Sequence, residues 1–207
     1  MAKKSKPGGR SASSGSKARG TAPLAIALIH GPVRNKAGQV VTTSITTFDL
    51  HDIARSAITF GVWRYYVVNP FESQRGFAQR IVGAWQSETG RLRNWTREEA
   101  FQLIHIKSSM EDVAADLKNN FSEAPLVVGT SAQTKGTISY EALRKKLAKS
   151  SRPVLILFGT GWGLVPEVLD ACDELLPAIE GETGYNHLSV RSAVAIILSN
   201  LRGRKVR

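Results

Sequence analysis

Two stretches in the C-terminal half carry residues spaced for chemistry. Gly159-Thr160-Gly161-Trp162-Gly163 closes the apolar run Val154–Phe158. Gly181 and Gly184 follow a second apolar run, Leu175–Ile179, just before Tyr185-Asn186-His187-Leu188-Ser189. Short apolar runs rich in β-branched residues and bounded by glycine read as buried parallel strands. Glycines directly after such strands remove side chains where the flat or anionic part of a ligand would approach main-chain N–H groups. The chemistry this pattern predicts is capture of a small ligand by bare backbone.

Other chemistries find less support. A dinucleotide fingerprint wants its third glycine three residues after the second, in the first βαβ unit, with an acid about twenty residues on. Here the third glycine follows by two, late in the chain. His30, His51, His105 and His187 are scattered without metal-ligand spacing, so no metal is expected. His51 between Asp49 and Asp52 reads as a polar helix start, and Cys172 as core. No Ser/His/Asp set is recognisable locally, although such partners need only meet in space.

The elements that must position these residues alternate in type. Apolar runs predict strands at Leu24–Ile29, Tyr65–Val68, Phe101–Ile106, Leu126–Val128, Val154–Phe158 and Leu175–Ile179. Helical spacing predicts helices at Leu50–Phe60, Glu72–Ser87, Ser109–Phe121, Ser139–Lys149, Pro166–Cys172 and Ser189–Leu201, with Asp49 and Ser109 as candidate caps. Residues 31–47 are expected to be a long functional loop, and Gly90–Thr96 a polar link. Strands alternating with helices predict an α/β domain with a mostly parallel sheet flanked by helices, whose ligands sit beyond the carboxyl ends of the strands.

The 207 residues suffice for one sizeable core. The formal net charge of +11 resides in the tails. Residues 1–20 carry Lys3, Lys4, Lys6, Arg10, Lys17 and Arg19 without an acid, and the last six add Arg202, Arg204, Lys205 and Arg207. Residues 1–22 are Lys-, Gly- and Ser-rich and are expected to be a disordered arm, leaving 23–203 as a single domain. Such arms suit nucleic-acid phosphates; a solubilising tail is the plainer alternative. No run approaches the ~20 apolar residues of a membrane span. A basic start without an apolar core is not a signal peptide, and a single cysteine fits the cytoplasm.

Three motifs together resemble those of the SPOUT, or trefoil-knot, S-adenosylmethionine-dependent RNA methyltransferases. LILFGTGWGL (residues 155–164) is similar to their strand followed by F-G-x-E-x-x-G-L, and LPAIEGETGYNHLSVRSAVAIIL (176–198) to their last loop and helix. Upstream, DIARSAITFGV (52–62) is similar to their first motif. Nearest is a small bacterial subgroup whose C-terminus reads Y-N-H-L-S-V-R-S-A. The resemblance implies a C-terminal trefoil knot, S-adenosylmethionine bent against its loops, a homodimer, and RNA as substrate, tRNA ahead of rRNA. It implies cofactor contacts from Gly129, Thr130, Gly159, Thr160, Gly161, Gly163, Leu164, Ile179, Gly181, Tyr185, Asn186, Leu188 and Ser189. It implies Arg55, Asp52 and Asn186 as catalytic candidates, Arg55 matching an arginine tied to ribose methylation.

The sequence also departs from the pattern. Gly161 or Trp162 stands where a glutamate is expected, and Asn186 lies three residues before Ser189 rather than two. Asp49 and Asp52 stand where the ribose-methylating subgroup carries asparagines. The acceptor therefore stays open between a ribose 2′-oxygen and a base nitrogen. The alternative function is a non-catalytic protein of the same fold that binds S-adenosylmethionine or a nucleotide, and RNA; an NAD-dependent enzyme is a third.

Deleting residues 1–20 should weaken RNA binding and flatten its salt dependence, because each phosphate-bound cation releases counterions. Affinity titrations at several salt concentrations check this, and an unchanged slope would leave the arm a solubilising tail.

Overall fold

The computed structural model describes residues 21–204. The basic arm lies outside these, apart from residues 21 and 22, as do Lys205 and Arg207. In chain order the elements are β1 (Leu24–Ile29), β2 (Val33–Arg34), β3 (Val40–Val41), α1 (Thr47–Thr59), β4 (Arg64–Val68) and α2 (Glu72–Gln86). There follow α3 (Glu88–Arg93), α4 (Trp95–Phe101), β5 (Ile104–Lys107), α5 (Met110–Asn120), β6 (Leu126–Gly129) and α6 (Tyr140–Lys149). The chain continues through β7 (Val154–Gly159), α7 (Pro166–Asp170), β8 (Glu174–Leu175) and α8 (Val190–Arg202).

Six strands form one sheet in the order β5-β4-β1-β7-β6-β8. Every neighbouring pair is parallel. Helices therefore cover both faces, and the strands are apolar on both sides. Alternation along β1 divides the core in two. Leu24, Ile26 and Leu28 share one cluster with Ile53 of α1, Leu143 of α6 and Val194 of α8. Ala25, Ala27 and Ile29 share the other with Val113 and Leu117 of α5, against partly buried Val168 and Leu169 of α7.

Four expectations need correction. Gly90–Thr96 is not a link: Ser87 caps α3 through Gly90 N–H (3.1 Å) and Asn94 caps α4 through Arg97 N–H (3.1 Å). Gly90 is buried there, where a Cβ would meet the Trp85 carbonyl at 2.3 Å. Phe101 ends a helix instead of starting a strand, its ring packed on His51 and Trp85. Leu175–Ile179 contributes only Leu175 to the sheet, because Pro177 cannot donate to a ladder and Ala178 N–H turns to Thr134 O (2.9 Å). The helix predicted from Leu50 starts at Thr47 with Thr46 as its cap, so Asp49 is not the cap. Thr46 Oγ1 accepts from Asp49 N–H (3.2 Å) and donates to Asp49 Oδ2 (2.7 Å), which holds that carboxylate in the first turn.

The expected loop 31–47 folds partly into the antiparallel β2–β3 ribbon. The ribbon is stitched to the turn after β7: Trp162 N–H donates to Arg34 O, and Arg34 N–H to Gly163 O, both at 2.9 Å. At the opposite end of the sheet the two termini of the described chain meet. Ala22 N–H donates to Leu147 O (2.8 Å), and Arg202 Nη2 donates to Ala22 O (2.6 Å).

Gly161 has φ +60°, and a Cβ there would lie 2.9 Å from Arg34 O. Gly161→Ala should therefore lose about 1–3 kcal/mol, for the left-handed backbone and the displaced ribbon. Denaturant unfolding checks this; a loss below 0.5 kcal/mol would mean that the ribbon contact is slack.

Asp116 of α5 ties three neighbours: it pairs with Arg64, accepts from Tyr66 Oη (2.5 Å) and lies 3.4 Å from Lys107 Nζ. Burial would raise its pKa, but the Tyr66 hydroxyl and the Arg64 guanidinium outweigh this, and the value falls below the ordinary one. A depressed carboxyl stabilises above its unfolded pKa of about 3.9 and loses that contribution as pH falls through the folded value. Unfolding free energy should thus drop more steeply below pH 4 in the parent than in Asp116→Asn, measured by urea titration.

Candidate active site

A cavity of about 870 Å³ opens at the carboxyl edge of the sheet. Parallel strands deliver their following loops to one edge, so segments distant in sequence meet here. One wall comes from residues 130–133 after β6, 158–163 after β7, and the irregular stretch 177–189 with the start of α8. The other wall comes from His30, Thr43, Ser44, Thr46 and Asp49, from the end of β1 to the first turn of α1.

Most of the residues implied as cofactor contacts line the first wall. Thr130, Gly159, Thr160, Gly161, Gly163, Ile179, Tyr185, Asn186, Leu188 and Ser189 all face the cavity. Thr130 Oγ1 donates to Leu157 O (2.8 Å), and Asn186 Nδ2 to Ala132 O (2.7 Å), joining the two loops of this wall. Ser189 caps α8 by accepting from Ser192 N–H (3.3 Å). Gly129, Leu164 and Gly181 do not line the cavity. A Cβ on Gly129 would strike Leu175 and Cys172, so that glycine serves strand packing. Leu164 is buried and bridges Val33. Gly181 sits in an exposed turn.

The glycines after β7 serve different purposes. A Cβ on Gly159 would meet Leu164 N at 2.6 Å, and one on Gly161 would meet Arg34 O. Both are required by the turn's own packing. Gly163, with φ +99° and open space beside it, is the position where bare backbone is exposed to the cavity. Trp162, His187 and Tyr185 form a ladder at the mouth, with ring centroids 5.7 and 5.6 Å apart. Trp162 and Tyr185 are exposed, which suits them to stack on a heteroaromatic ring.

The catalytic candidates part company. Asn186 lines the cavity; Arg55 and Asp52 do not. Arg55 lies on an exposed face of α1, six residues past Asp49 and outside the cavity. Asp52 is turned to Arg191 of α8, 3.2 Å from Nη1. Arg191 Nε also reaches Asp49 (3.8 Å), and its guanidinium lies 5.3 Å above the Phe48 ring, so it clasps α8 to α1 at the rim. The acid inside the cavity is Asp49, whose residue surface is only 8% exposed.

In the sequence His30 stands out only as one of four scattered histidines. It is buried at the cavity floor, with Nδ1 3.0 Å from Thr43 Oγ1. Burial pulls its pKa down to about 4, against the opposing charge of Asp49. One signal could have flagged it: a histidine interrupting an apolar strand end immediately before Gly31-Pro32.

These surfaces fit S-adenosylmethionine. The exposed backbone at Gly163 admits close approach, the aromatic ladder offers faces to an adenine, and Asp49 supplies negative charge opposite a cationic ligand.

Comparison with known proteins agrees. An uncharacterised protein of Aquifex aeolicus is 44% identical over 180 residues, covering 86% of this chain and 88% of that protein. A tRNA (guanine-N(1)-)-methyltransferase of Oleidesulfovibrio alaskensis is 40% identical over 180 residues, covering 87% of this chain but 42% of its own length. The chain thus spans about two-fifths of that relative. The SpoU methyltransferase AviRb of Streptomyces viridochromogenes, solved with the cofactor AdoMet, superposes with a TM-score of 0.56 at 16% identity, over 87% of this chain and 57% of that one; this likeness shows a shared fold. Residues 23–203 match the SAM-dependent RNA methyltransferase family, and the chain belongs to that family.

Proposed function

We propose that this protein methylates a base nitrogen of tRNA at the cavity between the two walls. The observation that carries the reading is the position of Asp49, buried on the wall facing the glycine and aromatic wall. S-adenosylmethionine supplies an electrophilic methyl group when bound. The chain's own residues do the rest. Thr130, Gly163 and residues 185–189 hold the cofactor, and Trp162 and Tyr185 shield it from water. Asp49 Oδ2 is occupied by the Thr46 hydroxyl, and Oδ1, 3.8 Å from Arg191 Nε, takes the proton that the acceptor releases. A ring N–H is a stronger acid than a ribose hydroxyl, so a carboxylate suits a base nitrogen better. The names of the two-fifths-matched relatives point the same way.

Arg55 serves at a distance in this reading, gripping an RNA phosphate on the α1 surface beside the cavity. Asp52 keeps Arg191 in place. Exposed Trp162, Tyr185 and Leu188 fit a homodimer formed over the cavity rim, with the knotted C-terminal segment at its centre. Among the described residues no helix is long and apolar enough to cross a membrane, and we place the enzyme in the cytoplasm.

Methyl transfer from labelled S-adenosylmethionine to bulk tRNA, followed by mass spectrometry of the nucleosides, tests the reading. Asp49→Asn should fold, bind S-adenosylmethionine and lose ~100-fold or more in turnover, the scale of one well-placed acid–base group. Arg55→Ala should raise KM for tRNA about tenfold while sparing kcat, the cost of one phosphate contact. Methylated ribose in the products, or full turnover by Asp49→Asn, would overturn it.

A further inference from the structure

His30 carries a feature that the reaction above does not use. Its Nε2 is buried and makes no well-formed hydrogen bond, although the Ser44 main chain approaches the ring closely enough to oppose the fall in its pKa, and the residue lines the cavity. A buried polar atom left unpaired costs free energy comparable to a lost hydrogen bond, so a native orphan asks for a partner that arrives later.

The hydroxyls behind the ring fix which nitrogen is protonated. Thr43 Oγ1 lies 3.0 Å from His30 Nδ1 and 2.5 Å from Thr160 Oγ1, which lies 3.2 Å from Ile29 O. Each hydroxyl donates one proton. If Thr43 donated to Nδ1, Thr160 would have to donate to Thr43, and the contact to Ile29 O would go unmade. In the opposite direction Nδ1–H donates to Thr43, Thr43 to Thr160, and Thr160 to Ile29 O. These three contacts are then hydrogen bonds, and only the longest approach of the set, Thr43 Oγ1 to His30 O at 3.4 Å, goes unmade. The carbonyl at the end, which can only accept, sets this direction. Nε2 is thereby assigned as the bare lone pair of a ring that lines the cavity.

We propose that His30 Nε2 is a hydrogen-bond acceptor that reads an N–H on the base-pairing edge of the target nucleotide and so positions that base for methylation. The inference rests on the RNA methyltransferase reading of this cavity. Two observations favour the nucleotide over the cofactor. His30 follows β1 and lines the cavity with Thr43, Ser44 and Asp49, outside the loops assigned to the cofactor, which Thr43 touches only at Thr160. Burial also keeps the ring uncharged near neutral pH, and an uncharged acceptor complements a neutral base edge better than a cationic ligand. Thr43 and Thr160 act as positioning residues, since they reach the base only through the ring.

The test uses full-length protein with ¹⁵N-labelled histidine, bulk unmodified tRNA, and S-adenosylhomocysteine as the demethylated cofactor. The imidazole spectrum of the free protein should show His30 with Nδ1 protonated and Nε2 bare. Adding S-adenosylhomocysteine should leave Nε2 in place; adding tRNA as well should shift it towards the hydrogen-bonded value. His30→Phe should bind S-adenosylmethionine within about twofold of the parent, yet lose roughly 10- to 100-fold in kcat/KM for tRNA, the range for leaving a buried donor unpaired. His30→Gln, which keeps an acceptor, should recover part of that loss. Thr43→Val should abolish the tautomer preference, which a merely structural threonine would not.

A protonated Nε2 in the free protein overturns the proposal. A shift caused by S-adenosylhomocysteine alone, or a large loss of cofactor affinity in His30→Phe, assigns His30 to the cofactor and overturns it as well. No shift with tRNA does the same. If His30→Phe does not fold, the spectra of the parent decide. A parent that methylates no tRNA counts against the function proposed above; the protonation of Nε2 and its response to cofactor still judge His30.

Discussion

Two hydrogen bonds between the backbone of Arg34 and the turn 160–163 hold the site in shape. They join a ribbon from the start of the chain to the loop after β7, nearly 130 residues later. The sheet alone aligns strand ends; it does not say how the loops beyond them lean. Backbone pairing at Arg34, made possible by a left-handed Gly161, fixes that lean. Thr43, in the same excursion, then meets Thr160, and both walls of the cavity become parts of one rigid frame.

Polarity is distributed unevenly over that frame. The β1–α1 wall holds the acid Asp49 and the uncharged imidazole of His30 among the hydroxyls of Thr43, Ser44 and Thr46. The opposite wall holds backbone, hydroxyls and aromatic faces. Arg191 bridges the two at the rim, bound to Asp49 and Asp52 and laid over Phe48. Burial away from bulk water strengthens charge interactions between such groups and anything bound between them. Removing Arg191 would leave two acids facing each other across one helical turn.

The parallel sheet was legible because most of its strands are short apolar runs closed by glycine or Asn-Pro, as at Val68-Asn69-Pro70, Gly129 and Gly159. The first wall was legible for the same reason: Gly159, Gly161 and Gly163 mark where the chain turns sharply. What the glycines do was not legible. Whether a missing Cβ makes room for a ligand or for a carbonyl such as that of Arg34 depends on a partner far away in sequence. Gly90 misled in the same way, since burial against Trp85 kept it within helical structure. Leu175–Ile179 read as a strand on hydropathy, but Pro177 and the pull of Thr134 ended pairing after Leu175. The second wall stayed hidden because His30, Thr43 and Asp49 are spread over twenty residues without periodicity. Arg55 drew notice through a motif, yet the helix turns it away from the cavity that Asp49 enters.

The pairing of Arg202 with Ala22 has a geometric corollary. Both charged tails depart from a single pole of the molecule, at the amino ends of the strands, whereas the cavity occupies the other pole. Twenty residues can extend at most about 70 Å, so the leading segment is long enough to wrap round the domain but is rooted on its far side. A polyanion held by cations rooted there would have to span the domain to reach the cavity, whose own lining carries no lysine or arginine.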